Sequence, residues 1–204
     1  MDTPQHIKSD ERTHVELPFL QQLQGLGWEV IDLDNYQTPK QSHRESFAEV
    51  VLLPVLREQL KIINPWLEAD QIEDVMRQIT AHTGNGLLEN NRHVLNLLLE
   101  NTSVAENRQT GEKSPTVRFI DFANPGNNRF IAICQFKVRV LGTEHHIIPD
   151  IVLFINGLPV VVVECKSPKL KEPIPEAMDQ LLRYSEQRGA KVAHRCFSIT
   201  NLSW

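Results

Sequence analysis

The chain lacks an excess of basic residues: 21 lysines and arginines stand against 26 aspartates and glutamates, for a formal net charge of −5. A protein held on nucleic acid by phosphate contacts normally carries a basic footprint. That balance argues against simple nucleic-acid coating, unless acid is concentrated at a metal centre or the main grip lies in parts outside this chain. Cysteine is also scarce. Cys134, Cys165 and Cys196 are odd in number, far apart and each set in a strand-like stretch, which argues against a disulfide framework or a zinc site and for reduced, buried thiols. Long apolar runs are missing too: a stretch such as Leu158 to Val163 is far too short to cross a bilayer. The segment Met1 to Arg12 is polar and mixed in charge, unlike a signal peptide. These features point to a cytoplasmic protein without a membrane role. There is no internal repeat and no low-complexity tract. What remains is ordinary for a globular chain, 41% apolar and 23% charged over 204 residues, enough for one substantial domain or two small ones.

The first half reads as mainly helical, over residues 13–100. A helix is predicted at 13–26, with Thr13 and Glu16 at capping-box spacing and Gly25 and Gly27 as its exit. Trp28 to Ile31 follows as a short strand, then a polar loop over 34–44. Ser46 to Ile62 is strongly apolar, with Pro54 as a kink or break. Asn64-Pro65 signals a further helix at about 68–81. Gly84 to Gly86 separates it from Leu87 to Glu100, where Leu87, Val94, Leu95 and Leu98 line one side. Thr102 to Ser114 has no apolar periodicity and is expected as an exposed, mobile loop.

Strand character takes over in the part spanning 116–200. Thr116 to Asp121 is the first strand, and Asn124-Pro125-Gly126 a turn. Next, Cys134, Phe136, Val138 and Val140 alternate with Gln135, Lys137 and Arg139, the period of two that marks a sheet with one wetter face. Ile147 to Ile155 and Leu158 to Cys165 are apolar on both faces and read as central strands, with Asn156-Gly157 between them as a hairpin turn. A helix at about 174–187 and a last strand, Val192 to Thr200, complete a β-β-β-β-α-β order.

Three charged residues interrupt this apolar hairpin: Asp150, Glu164 and Lys166. An ion buried without a partner is costly, so each needs a pair or a metal. Glu164 and Lys166 are two apart on a strand and share a face, while Cys165 points to the other, under a helix. Whether Asp150 joins them depends on the turn. A strict two-residue Asn156-Gly157 turn sets 150 opposite 163, with the two carboxylates on opposite faces. A three-residue loop or a bulge sets 150 opposite 164, and the carboxylates converge. Converging carboxylates repel each other and favour a hard divalent cation. A lysine beside them can hold a water and neutralise developing charge, as metal-assisted phosphodiester hydrolysis requires.

Pro149-Asp150, then Glu164, Cys165 and Lys166, resembles the PD-(D/E)xK nuclease motif. The wider string PDIVLFINGLPVVVVECKSP resembles the N-terminal nuclease region of type I restriction enzyme R (HsdR) subunits. Gln180 and Tyr184, in QLLRY, are similar to that family's QxxxY element. Val15-Glu16 through Gly27-Trp28-Glu29 resembles its first helix, and residues 118–122 with Asn124-Pro125 resemble its first core strand. One departure is Cys165, where many relatives carry an aliphatic residue.

The resemblance implies a restriction-endonuclease-like α/β fold: a central mixed β-sheet flanked by helices, with additional N-terminal helices. It implies Mg²⁺ (or Mn²⁺) held by Asp150, Glu164 and the Cys165 carbonyl. Lys166 would act on the attacking water, and Glu16 would serve on the metal side. Gln180, Tyr184 and Lys169 would support double-stranded DNA. It further implies partnership with methylation and specificity subunits, and an ATP-driven motor in the larger subunit. This chain has no GxxxxGK[ST] phosphate loop, so residues 1–204 are expected to form a single nuclease domain, an N-terminal fragment without the motor.

Each residue also has a plainer reading. Asp150, Glu164 and Lys166 could form a structural salt bridge. Glu16 could merely complete its capping box, although it shares a face with Leu20 and Leu23. Gln180 could be solvated while Tyr184 packs on Leu181, and Lys169 and Lys171 could be solvated loop residues. His145 and His146 lack the further ligands a zinc site needs, and the acidic residues Glu68 to Asp74 read as a solvated helix face. Two other functions fit the same string: a non-catalytic docking module with a nuclease fold, and a repair nuclease of the same superfamily.

Overall fold

The computed structural model describes residues 10–33, 36–80, 87–140, 143–167, 169–171 and 173–184. The expected last strand over 192–200, Cys196 and the side chain of Tyr184 lie outside the described residues.

A π-helical turn over Arg12–Glu16 runs directly into α1 (Leu17–Gly25), and the chain then enters β1 (Glu29–Asp32). Three helices follow: α2 (Leu53–Ile63), α3 (Ala69–Thr80) and α4 (Leu87–Glu100). Pro54 does not kink a helix that began at Ser46; it stands in the first turn of α2, where its missing N–H costs no hydrogen bond. On α4 the core-facing residues are Val94, Leu97 and Leu98, with Leu95 exposed and the Leu87 side chain outside the described residues.

β2 (Thr102–Ser103) and β3 (Thr116–Val117) pair antiparallel as a separate small sheet. The segment between them is exposed over residues 108–114, as expected, and is built on a hydrogen-bonded turn. Asn107 is buried, its side chain accepts the N–H groups of Gln109 and Thr110, and its backbone bonds Glu112 and Gly111. The predicted strand over 116–121 stops at Val117, so residues 118–122 are not the first core strand. Their backbone groups are taken by side chains. Asn64 both donates to the Arg118 carbonyl (2.8 Å) and accepts its N–H (2.9 Å), Asn128 accepts the Asp121 N–H (2.9 Å) and donates to its carbonyl (2.9 Å), and Asn156 donates to the Phe119 carbonyl (2.8 Å). Phe119 and Ile120, adjacent in sequence, are both buried, which a one-faced strand does not allow.

β4 (Phe130–Cys134), β5 (Val138–Arg139), β6 (His146–Ile147), β7 (Ile151–Ile155), β8 (Leu158–Val163) and α5 (Pro173–Tyr184) complete the described chain. The alternation predicted over 134–140 is present in burial, but the strand breaks at Gln135, which has a positive φ of 56°. The central sheet is mixed, in the order β1-β4-β7-β8, with β1 and β4 parallel and the other pairs antiparallel. Helix α1 covers one face, with Leu20 and Leu23 over Ala132, Cys134, Ile151, Leu153 and Cys165. On the other face, Leu52 and Val55 from the α2 region meet Ile131, Ile133, Val152 and Phe154. Helices α2, α3 and α4 share a second core beside the sheet. This is the restriction-endonuclease-like α/β arrangement, with extra helices to one side. Among the described residues β8 is the last strand of the sheet, and its Val160 and Val161 are exposed, so of the two strands expected to be central β7 is buried on both faces and β8 is not. No described helix is long and apolar enough to cross a membrane.

The β7–β8 turn is pinned from above by α2. The Leu52 N–H donates to the Gly157 carbonyl (2.8 Å), and a Cβ on Gly157 would lie 2.6 Å from the Leu52 carbonyl oxygen. Gly157 also has a φ of 84°, so only glycine satisfies both demands. Gly157→Ala is expected to destabilise the fold by at least about 2 kcal/mol, read from the shift of the urea midpoint.

Candidate active site

The hairpin meets the condition for convergence by a bulge and not by a longer loop. Asn156 (φ 54°) and Gly157 (φ 84°) form a strict two-residue turn with positive φ at both positions, the primed type that follows strand twist. Ile155 pairs with Leu158 and Phe154 with Pro159, but Leu153 pairs with Val161, Val152 with Val162 and Ile151 with Val163. Val160 is the extra residue. Because side chains alternate with a period of two, that single insertion moves every later residue of β8 to the other face. One step beyond the last pair, Asp150 comes opposite Glu164. The Cys165 N–H donates to Asp150 Oδ2 at 2.8 Å, tying the two strand ends together.

Lys166 is held from two elements. Its Nζ donates to Gln180 Oε1 on α5 (2.7 Å) and lies 3.6 Å from Glu11 Oε1. Gln180 is thus a partner of the lysine, and α5 brings it there. Lys169 pairs with Asp10, a second tie between the motif and the N-terminal helical segment. Glu16 does not close a capping box, because the helix is already under way at Asp10 and Thr13 lies inside it. Instead Glu16 is buried, accepts from Arg12 Nη1 (2.8 Å) and lies against the Cys134 thiol (3.5 Å). Arg12 also grips Asp32 through both carboxylate oxygens (2.7 and 2.5 Å).

Glu11 is the site residue that sequence reasoning missed. In a regular α-helix, residues five apart point roughly 140° away from each other. The π-helical turn over Arg12–Glu16 closes i to i+5, which brings Glu11 and Glu16 to the same side. α-periodicity could not have found it; two glutamates five apart ahead of an apolar helix were the available signal.

The site is crowded with acid. Burial pushes the Glu16 carboxyl above its ordinary value, and the charge of Asp150 adds to it against the opposing Arg12. Burial likewise raises Glu11; Lys166 opposes this, while Asp150 and Glu16 add to the rise. Burial, then Asp150, Glu16, Glu11 and Glu164 in turn, raises the Cys165 thiol to about 12. Burial raises Cys134 to about 12 as well. Both cysteines are free, buried and protonated at neutral pH, hence structural rather than nucleophilic.

The donor set fits a hard cation. Among the described residues no group of three or more His, Cys, Asp or Glu side chains is arranged to hold a metal ion. Two carboxylates on one strand pair suit Mg²⁺, which binds one or two carboxylates and completes its shell with water and phosphate oxygens. His145 and His146 are exposed on and beside β6 and do not join this set.

The model of the family Type I restriction enzyme R protein N terminus matches residues 8–200 of the chain. The chain belongs to this family. It is 33% identical over 177 residues to the type I restriction enzyme HindI endonuclease subunit of Haemophilus influenzae, covering 84% of this chain and 16% of that protein. It is 30% identical over 174 residues to the putative type I restriction enzyme MjaIXP endonuclease subunit of Methanocaldococcus jannaschii, with the same coverage of 84% and 16%. A second putative subunit of that organism, MjaVIIIP, is 30% identical over 169 residues, 81% of this chain and 15% of that one. This R-protein N-terminal chain therefore spans about one sixth of the length of these relatives.

The raised carboxyls of Glu11 and Glu16 have a consequence for stability. A carboxyl whose folded pKa lies above its unfolded value favours the fold while protonated. Its contribution is full below about pH 4.3, the ordinary glutamate value, and is lost as pH rises through the raised folded value. The stability gap between wild type and the Glu11→Gln/Glu16→Gln double variant is therefore expected to shift against the wild type between pH 4 and pH 8. Urea midpoints across that range, without divalent cation, measure it; a constant gap would contradict the electrostatics.

Proposed function

We propose that the chain is an Mg²⁺-dependent endonuclease domain that hydrolyses phosphodiester bonds of double-stranded DNA without sequence preference of its own. One observation carries this reading: the Val160 bulge pairs Ile151 with Val163, a register that one step further brings Asp150 opposite Glu164, and strand alternation then returns Lys166 to the side of Glu164. A structural salt bridge needs no such register, because Lys166 already has Glu11 for a partner.

Asp150 and Glu164, helped by the Cys165 carbonyl, would hold Mg²⁺, and Mn²⁺ could replace it. The bound ion would supply Lewis acidity toward the phosphate and lower the pKa of water. The chain's own groups do the rest. The Lys166 ammonium orients the attacking water and offsets the negative charge that develops on the phosphate. Gln180 and Glu11 fix the lysine side chain, and Glu16 stands on the metal side of the site. Tyr184 and Lys169 flank the DNA path. Residues 1–204 act as one nuclease domain of a larger cytoplasmic subunit. Its ATP-driven motor lies outside this sequence, and methylation and specificity subunits recognise the target.

Calorimetry with Mn²⁺ tests the reading. Wild type is expected to bind, while Asp150→Ala and Glu164→Ala lose binding. Deleting Val160 is the sharper variant: it leaves both carboxylates in the chain but turns Glu164 to the face opposite Asp150, so binding should vanish while circular dichroism is retained. Lys166→Ala should keep the metal and lower the cleavage rate by about 10²–10⁴. Absent metal binding, or binding unchanged by all three metal-site variants, would overturn the reading in favour of a docking module.

A further inference from the structure

The hairpin strands do not end at the active site. Cys134 pairs with Ile151, the Gln135 N–H donates to the Asp150 carbonyl (2.7 Å), and the Phe136 N–H to that of Pro149 (3.2 Å). Val138 then pairs with Ile147, Arg139 with His146, and the Val140 N–H donates to the His145 carbonyl (2.8 Å). The offset between the strands is the same on both sides of the break at Gln135, so the β5–β6 pair prolongs the β4–β7 pair as a two-stranded ribbon beyond Asp150. Arg139 lies four residues beyond Gln135, about 13 Å along the ribbon at ~3.3 Å per residue.

The ribbon has two unlike faces. Phe136, Val138, Val140 and Ile147 are buried in the core, whereas Arg139 and His146 are exposed and Lys137 is half-buried. Phe47 organises the outer face. Lys137 Nζ lies 5.1 Å from its ring centroid, the His146 ring meets it edge-on at 5.8 Å, and its carbonyl accepts the Arg139 N–H (2.8 Å). Beneath, the buried Arg44 guanidinium lies 3.7 Å from the Phe136 ring centroid and 5.6 Å from that of Phe47. Burial, and after it the charges of Lys137 and Arg139, lower the pKa of His146, with Glu144 opposing; the cations share one field.

We propose that this ribbon is the surface along which the phosphate backbone of double-stranded DNA enters the site, with Lys137 and Arg139 as its phosphate contacts and Phe47 as the platform that fixes them. The inference rests on the nuclease reading. A phosphodiester bond placed at Asp150 carries its flanking phosphates with it. A 13 Å reach covers about four base-pair steps of the duplex at 3.4 Å each. The ribbon thereby places a cationic face beside an acidic centre, which reconciles an overall negative charge with DNA as substrate.

Fluorescence anisotropy with a labelled 30-base-pair duplex in EDTA, titrated across salt concentration, tests the surface apart from the chemistry. The variants are Lys137→Gln/Arg139→Gln and, as a control on the Asn107 turn, Lys113→Gln. The plot of log affinity against log salt should become shallower by about 2 in the double variant, at ~0.9 per lost phosphate contact, and stay unchanged in the control. Mn²⁺ binding should persist in the double variant, and its unfolding midpoint should match wild type. No DNA binding by wild type, an unchanged slope in the double variant, or an equal loss in Lys113→Gln would each overturn the proposal. Retained metal binding beside such a result would leave the nuclease reading standing, whereas lost metal binding in wild type would remove that reading itself.

Discussion

Side chains on a strand alternate, so a strand carrying two functional residues cannot tolerate an odd error in register. The whole site hangs on that constraint. From the turn outward, β7 and β8 pair in a register that would send Asp150 and Glu164 to opposite faces, and the extra residue at Val160 corrects it within three residues. The turn cannot drift, because Gly157 is pressed beneath the start of α2 with no room for a Cβ. The far end cannot drift either, because the Cys165 amide is bonded to the Asp150 carboxylate. Between those two anchors the bulge at Val160 takes up the mismatch.

A second local irregularity shapes the other side of the site. The π-helical turn ahead of α1 aims Glu11 and Glu16 in one direction, and the chain thereby gathers acid around Asp150. Burial and mutual repulsion make that gathering unfavourable without a counter-charge. Arg12 answers part of it at Glu16, and Lys166 answers part at Glu11. A divalent cation between Asp150 and Glu164 would answer the rest. π-turns and bulges recur at functional sites because regular elements rarely deliver side chains from neighbouring segments to one point.

Much of this was legible in the sequence where patterns are local. The apolar hairpin with its Asn-Gly turn, the 69–80 helix and the burial alternation over 134–140 follow from period and turn chemistry alone. The need for a one-residue offset could also be deduced, but not its place, because Val160 is one valine among several and a bulge leaves no mark in such a run. Side chains that replace backbone partners were invisible for a different reason. Asn64 stands in for a strand beside Arg118, and Asn107 builds a turn out of a polar stretch, and both depend on residues brought close only by the fold. Glu11 was hidden because the expected helical period was the wrong one there.

The convergence of Asp150 and Glu164 on a single ion is best tested by Mn²⁺-induced relaxation of the backbone amide signals of the whole chain. The amides of Gln135, Asp150 and Cys165 should broaden first, at the lowest Mn²⁺ concentrations. Broadening that begins instead along the exposed acidic helix at Asp70, Glu73 and Asp74 would contradict a metal centre at the hairpin.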